Sequence, residues 1–123
     1  AKERKQFDEP IANQQMVQSM IADMAIHVYT CESVVYRTAR RYDEGTMLSR
    51  ESAMVKYICS EALHQCTDLA MQVHGGMGYS KEMPIERFYR DSRINKIFEG
   101  TNEIQKLIIG KDLIKRNGKI SVY

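Results

Sequence analysis

Apolar residues recur at steps of three and four along most of the chain, which is the spacing of an amphipathic α-helix. Four such runs cover approximately residues 11–42, 49–74, 85–97 and 102–115. Pro10 precedes the first run and suits the start of a helix, where its missing N–H is not needed. No segment alternates apolar and polar residues over a useful length. The pattern predicts an all-α fold, best interpreted as an antiparallel four-helix bundle of two long and two shorter helices.

Length and charge limit the classes of function. The chain has 123 residues, enough for one domain with one core. Its 18 basic and 16 acidic residues leave a net charge of +2, which gives no electrostatic case for binding nucleic acid or an anionic membrane. No run of apolar residues is long enough to span a bilayer, so we predict no membrane span. The charged N-terminus begins abruptly, as a piece cut from a longer protein would.

Cysteine and histidine spacing argues against a disulfide framework or a metal site. Cys31, Cys59 and Cys66 are odd in number and form no close pair. Buried thiols in a reducing compartment are the expected state. The three histidines show no metal-ligand spacing, so we predict no bound metal.

Three methionines at helical spacing admit two interpretations. Met16, Met20 and Met24 lie on one stripe of the first predicted helix. They could form a pliable binding face, but a plain core is the favoured interpretation because Met fills irregular core gaps in many proteins.

The residues around Glu99 are the main candidate for chemistry. Glu99 follows Ile97 and Phe98 and directly precedes Gly100, on a predicted joint between two helices. Thr101 can cap the second helix, whose first turn favours negative charge. A carboxylate flanked by apolar residues is suited to act as a general base. Spacing alone also fits an ordinary solvated residue at a helix boundary, and it favours that interpretation.

Four ordered motifs extend the argument to the whole chain. They read RKQF at residues 4–7, QVHGGMGY at residues 72–79, RDSRI at residues 90–94 and IFEGTNEIQ at residues 97–105. Together they closely resemble the C-terminal domain of the acyl-CoA dehydrogenase flavoproteins. The corresponding family patterns are R-x-x-F-G, Q-x-x-G-G-x-G-[FY], R-D-x-[RK]-[IV] and I-[YF]-E-G-T-x-[EQ]-[IV]-Q.

The resemblance implies a three-domain enzyme of which only the helical C-terminal domain is present here. It implies FAD bound between the middle and C-terminal domains, with a second subunit completing the site in a homo-oligomer that is a dimer of dimers. The implied reaction is α,β-dehydrogenation of an acyl-CoA thioester, with electron-transferring flavoprotein as the acceptor. The implied location is the bacterial cytoplasm or the mitochondrial matrix.

The resemblance also assigns roles to individual residues. Glu99 matches the catalytic base, while Gly100 and Lys111 match positions that approach the substrate. The positions that match contacts to FAD are Arg4, Lys5, Gln6, Phe7, Gln14, Gln15, Gln72, Val73, His74, Gly75, Gly76, Thr101, Asn102 and Glu103.

Two positions depart from the family pattern. Asp8 stands where the family commonly has glycine, and Lys111 stands where some members have an arginine. Lysine keeps the charge of arginine but loses its planar fork of donors.

Two alternatives remain beside the dehydrogenase. One is an acyl-CoA oxidase-like relative with the same fold, from which the dehydrogenase differs in its electron acceptor. The other is a non-catalytic helical module for interaction or oligomerisation, which would have no need for the motifs at Gln72 and Glu99. The chain lacks the β-domain and so is expected to be inactive by itself.

Overall fold

The computed structural model describes residues 1–118 of the chain, and these residues are predominantly helical. The helices are α1 (Gln15–Asp43), α2 (Ser49–His74), α3 (Gly76–Tyr79), α4 (Ile85–Ile94) and α5 (Asn102–Lys115). A short antiparallel ladder of β1 (Lys5–Gln6) and β2 (Glu9–Pro10) pairs Lys5 with Pro10 and Gln6 with Glu9, and a 3₁₀ turn (Ile11–Asn13) follows. The predicted all-α fold is confirmed, and four of its helices have ten residues or more.

Helix α2 is the centre of the structure. Helices α1, α4 and α5 all pack on it, and α3 lies at its end. The fully buried apolar side chains are Ile11, Val17, Leu48, Ala53, Ala62 and Ile85. Helix α1 contributes only Val17 to this set, and it exposes Ile21, Ile26 and Tyr29. No helix in residues 1–118 has an apolar stretch suited to crossing a membrane.

The first helix begins later than its apolar pattern suggested. Helix α1 starts at Gln15 instead of Ile11, because Gln14 has an extended backbone with φ −80° and ψ 126°. The residues before it form the 3₁₀ turn, whose Ala12 carbonyl accepts a hydrogen bond from the Gln18 side chain at 2.9 Å. Pro10 therefore ends the second short strand and precedes a 3₁₀ turn, not an α-helix.

The methionine stripe is only partly core. Met16 is 75% exposed, so the core interpretation is wrong for this residue. Helix α1 packs mainly on α2, with the 3₁₀ turn against its start, and the side chain of Met16 lies largely outside these contacts. Burial of apolar side chains depends on a packing partner, which helical spacing alone does not specify.

The three cysteines are free thiols in the interface between α1 and α2. Each is half-buried. Burial, together with the nearby Cys31 thiol, raises the pKa of Cys59 to about 11. Burial also raises the pKa of Cys66. Cys59 and Cys66 are therefore protonated at neutral pH, as expected of structural cysteines rather than reactive ones.

A cluster of charged residues secures the later part of α5. Arg50 at the start of α2 is 5% exposed and contacts Glu51 at 2.7 Å and Asp112 of α5 at 3.1 Å. The hydrogen bond that Arg50 donates to Glu51 raises the pKa of Arg50 by more than burial lowers it. The cluster fixes one end of α5 against α2, and the candidate site lies at the other end.

Candidate active site

Glu99 and Gly100 form a sharp joint between α4 and α5. Both have left-handed backbones, with φ +55° at Glu99 and φ +85° at Gly100. Glycine adopts this conformation freely, whereas a glutamate in it is an uncommon, strained residue. Such strain persists only where surrounding contacts enforce it, and it is concentrated at functional sites.

Thr101 is the N-terminal cap of α5, the helix that follows the joint. Its hydroxyl accepts a hydrogen bond from the N–H of Ile104 at 3.3 Å, so the predicted N-terminal cap is confirmed. Glu103 lies in the first turn, where hydrogen bonds from its own backbone N–H and from Thr101 keep its pKa below the ordinary value. This is the favoured placement of a carboxylate beside unpaired amides at a helix N-terminus.

Gln105 holds the joint from the side of α5. Its Nε2 donates to the carbonyl oxygens of both Glu99 and Gly100, each at 3.1 Å. A Cβ atom at Gly100 would lie 2.7 Å from that Nε2. Glycine at this position therefore allows the carboxamide to come close, in addition to allowing the backbone conformation.

Asn102 links the same joint to α2. It is 4% exposed, and its Oδ1 accepts hydrogen bonds from Lys56 Nζ at 2.7 Å and Ser60 Oγ at 3.0 Å. Its Nδ2 donates to Glu61 at 2.7 Å, and Lys96 contacts the other oxygen of Glu61 at 2.6 Å. The hydrogen bond from Lys96 is the largest cause of the lowered pKa of Glu61. These five residues are called the Asn102 network below.

The carboxylate of Glu99 is exposed in this chain. Ile97 and Phe98 are also about half exposed, so the apolar neighbours do not bury it. Glu99 and Phe98 border a cavity of about 260 Å³, whose other walls include Lys56, Ser60 and Asn95. Exclusion of water from Glu99, which strengthens the action of a base, must therefore come from something outside residues 1–118.

A second group of predicted residues meets at the other end of α2. Arg4 and Gln72 lie beside Gly75 around a cavity of about 300 Å³, and the guanidinium of Arg4 donates to the carbonyl of His74. A Cβ at Gly75, whose φ is +61°, would come within 2.8 Å of Arg4 Nη1. The remaining walls of this cavity are Gln6, Ile11, Gln14, Met16, Val17, Met20 and Val73.

The structure places the residues predicted to contact the cofactor in two separate groups and leaves several of them outside both. Arg4, Gln6, Gln14, Gln72, Val73 and Gly75 share one cavity, whereas Thr101, Asn102 and Glu103 lie beside Glu99 at the start of α5. His74 contributes its carbonyl to Arg4. The residues that line neither cavity and are exposed are Lys5, Phe7, Gln15, Gly76 and, on α5, Lys111.

Asp8 keeps the turn in which the family pattern has glycine. Phe7 and Asp8 are the two residues between the short strands, with φ +54° and +65°. A two-residue hairpin turn of this kind needs two left-handed residues, and aspartate tolerates that conformation better than most. The departure from glycine therefore leaves the hairpin intact.

Sequence analysis assigned no role to four members of the Asn102 network or to Gln105. Ser60 and Glu61 lie four and five positions after Lys56 on α2, so all three side chains can face Asn102. A polar patch on the packed face of a helix was the available signal. Gln105 closes the IFEGTNEIQ motif, and its place in that motif was the corresponding signal.

Residues 1–114 match the family model described as "Acyl-CoA dehydrogenase, C-terminal domain". The chain belongs to that family. The match covers well over half of the chain, so the resemblance seen in the motifs is confirmed, as is the helical fold.

Individual relatives include enzymes named for both oxidation and reduction. The chain is 46% identical to the acryloyl-CoA reductase (NADH) of Anaerotignum propionicum, over 93% of this chain and 29% of the relative. It is 44% identical to the mitochondrial short-chain specific acyl-CoA dehydrogenase of Bos taurus, over 94% and 28%. It is 41% identical to subunit CarC of the caffeyl-CoA reductase–Etf complex of Acetobacterium woodii, over 94% and 31%.

A solved structure agrees with these relatives. The butyryl-CoA dehydrogenase of Megasphaera elsdenii superposes with a TM-score of 0.89 at 35% identity, over 92% of this chain and 30% of that one. The chain therefore spans about 30% of the length of the proteins that it matches.

Proposed function

We propose that this chain is the C-terminal helical domain of a longer, FAD-dependent acyl-CoA dehydrogenase, in which Glu99 is the catalytic base. The observation that carries the proposal is the strained, left-handed Glu99, fixed at the start of α5 in a chain matched by the family model over residues 1–114. An outlier of this kind, enforced by a buried side chain, supports a functional role more strongly than the carboxylate alone.

The residues of this chain define its part in the reaction. The Glu99 carboxylate takes the proton from the α-carbon of the thioester, and the electrons of that C–H bond form the α,β double bond as a hydride leaves the β-carbon. When bound, FAD accepts that hydride. No backbone carbonyl in residues 1–118 accepts a hydrogen bond from the N–H of Glu99, so this donor is free to stabilise the developing negative charge on the thioester oxygen.

The cavity at Arg4 fits one polar end of FAD. Its donors are a guanidinium and the carboxamides of Gln6, Gln14 and Gln72. The planar fork of Arg4 suits phosphate oxygens, and carboxamides suit adenosine and hydroxyl groups. Lys5, Phe7 and Gln15 are exposed near this end, where a second subunit would bring the cofactor against them.

Partners and location follow from the same proposal. The exposed apolar side chains of α1 require a cover, which the other domains and a homo-oligomer, a dimer of dimers, would provide. The Etf complex of the CarC relative supports electron-transferring flavoprotein as the partner that reoxidises FAD. Bacterial and mitochondrial relatives support the bacterial cytoplasm or the mitochondrial matrix.

The decisive experiment compares the full-length protein with this chain. We expect the full-length protein to purify with FAD and to lose its flavin absorbance when a saturated acyl-CoA is added. The 123-residue chain is expected to do neither, because it holds only one side of the cofactor site. Turnover by the isolated chain, or the absence of bound FAD from the intact full-length protein, would contradict the proposal.

A second direction of reaction is favoured by the reductase relative at 46% identity. The same residues suit the reverse reaction, in which Glu99 would return the proton to the α-carbon and a flavin held at the Arg4 cavity would provide the hydride for the β-carbon. Mixing the reduced full-length protein with an enoyl-CoA distinguishes the physiological direction. Faster flavin oxidation by enoyl-CoA than flavin reduction by acyl-CoA would identify a reductase.

Arg4 offers a test of the cofactor site. In the full-length protein, Arg4→Ala is expected to weaken FAD binding about 10- to 100-fold, because a charged hydrogen-bond donor is lost. Arg4→Lys is expected to recover part of that loss, since it restores charge without the fork. Titration of the apoprotein with FAD measures both. Arg40→Ala, at an exposed residue of α1 paired with Glu44, is the control; equal FAD affinity in all three variants would exclude Arg4 from the site.

A further inference from the structure

We infer that Gln105 is the positioning residue that orients Glu99 for proton transfer. The inference rests on the proposed function, since it assigns a role to Gln105 in the same reaction. Gln105 is 8% exposed, and its carboxamide donates to the backbone carbonyl oxygens of Glu99 and Gly100. Gln105 itself lines neither the Arg4 cavity nor the cavity beside Glu99.

The two hydrogen bonds from Gln105, called the Gln105 clamp below, act on the backbone conformation of Glu99. A glutamate at φ +55° is disfavoured by about 1–3 kcal/mol relative to an ordinary conformation, so the joint relaxes unless contacts hold it. The two bonds from Gln105 fix the orientation of the peptide groups on either side of Gly100. The direction of the Glu99 side chain follows from that backbone.

The anchor of the clamp is itself rigid. Gln105 lies in the first turn of α5, where its own N–H donates to the Thr101 carbonyl at 3.0 Å. Thr101 caps the same turn, and the Asn102 network ties it to α2. The side chain of Gln105 therefore extends back over the joint from a helix turn that is itself held in place. Its Nε2 lies so close to Gly100 that a side chain at Gly100 would have no room.

A purely structural role for Gln105 makes a different prediction. A residue that only fills space can be replaced by methionine of similar length, and any loss of rate then follows the loss of stability. A positioning residue needs its donor group. Methionine and glutamate, which both lack the NH₂ group, would then slow the chemical step even where the fold is intact.

The experiment uses the full-length protein with Gln105→Met and Gln105→Glu. We expect the single-turnover rate of flavin bleaching at saturating acyl-CoA to fall about 10- to 100-fold in both variants, the size of effect seen when a reacting group is misplaced. FAD content is expected to stay near that of the unmodified protein, because Gln105 does not line the Arg4 cavity. Saturating acyl-CoA keeps any change in thioester affinity out of the measured rate. Gln105→Glu keeps the shape of the side chain and decides the matter if Gln105→Met fails to fold.

Ser92→Ala is the matched control. Ser92 is 1% exposed in α4 and bonds to His64 and Thr67, away from the joint, so its loss lowers stability without touching Glu99. Slower bleaching in both Gln105 variants, with a normal rate in Ser92→Ala, supports the inference. A bleaching rate that is unchanged in the Gln105 variants, or that follows the melting temperature across all three variants, overturns it.

Glu99→Gln separates this inference from the function on which it rests. If Glu99→Gln abolishes bleaching while the Gln105 variants bleach normally, only the role of Gln105 fails. If Glu99→Gln bleaches at the normal rate, the proposed base is wrong, and the role of Gln105 falls with it.

Discussion

Glu99→Gln in the full-length protein is expected to lower the rate of flavin bleaching by acyl-CoA about 10²- to 10⁴-fold, the range that a positioned base contributes. Glutamine matches glutamate in size and hydrogen-bonds in a similar way, but its amide cannot accept the α-proton. The left-handed turn is set by Gln105 and is expected to survive the change. Stopped-flow absorbance of the flavin measures the rate.

Binding should be unaffected by the same change. FAD content and thioester affinity are expected to remain near normal, because Glu99 lies outside the cavity that contains Arg4. Glu82→Gln, at an exposed carboxylate before α4, provides the control and is expected to bleach normally. A Glu99→Gln protein that bleached like the control would remove Glu99 from the mechanism.

Helical spacing predicted the bounds of most of the helices well. The bounds of α2, the start of α4 and the extent of α5 follow the apolar pattern, and Thr101 caps α5 as its position suggested. These features depend on local physics, namely periodic burial and an unpaired helix terminus. The hairpin at Lys5–Pro10 was missed because strands of two residues are too short to show a period.

The strain at Glu99 could not be predicted from its neighbours. A glycine in the left-handed region is expected at Gly100, but no local signal indicates a glutamate in that region. The conformation is imposed by Gln105 and the Asn102 network, which are tertiary contacts. Motif resemblance assigned Glu99 as the candidate base without indicating what holds it in this conformation.

The exposure of Met16 and Glu99 has a related origin. Whether a stripe of α1 or a carboxylate on a joint is buried depends on what covers it, and within residues 1–118 the main cover of α1 is α2. The chain spans about 30% of the length of its relatives, and its apolar pattern does not indicate which of its side chains residues 1–118 themselves bury.

Asn102→Leu is expected to cost about 2–3 kcal/mol of unfolding free energy. Leucine has a similar volume, but Lys56, Ser60 and Glu61 would each lose a hydrogen-bond partner in the interface between α2 and α5. Leaving buried polar groups unpaired costs about 1–3 kcal/mol, more for charged ones, although part of the charge here is solvated. Thermal unfolding of the chain, followed by circular dichroism, should show a melting temperature lower by about 10–20 °C.

The pH dependence of that loss identifies its cause. Hydrogen bonds from Lys96, and to a smaller extent from Asn102, hold the pKa of Glu61 below its ordinary value of 4.5. These bonds therefore stabilise the folded chain fully at pH values above 4.5, and this contribution disappears as the pH falls through the lowered pKa. The stability gap between the unmodified chain and Asn102→Leu should therefore be widest near neutral pH and narrow in acid. Asn95→Leu removes only a local bond to the Asp91 carbonyl and should change stability by about 0.5 kcal/mol or less. A loss of unfolding free energy in Asn102→Leu that does not change with pH would mean that packing, and not the Asn102 network, anchors α5 beside Glu99. An equally large loss in Asn95→Leu would mean the same.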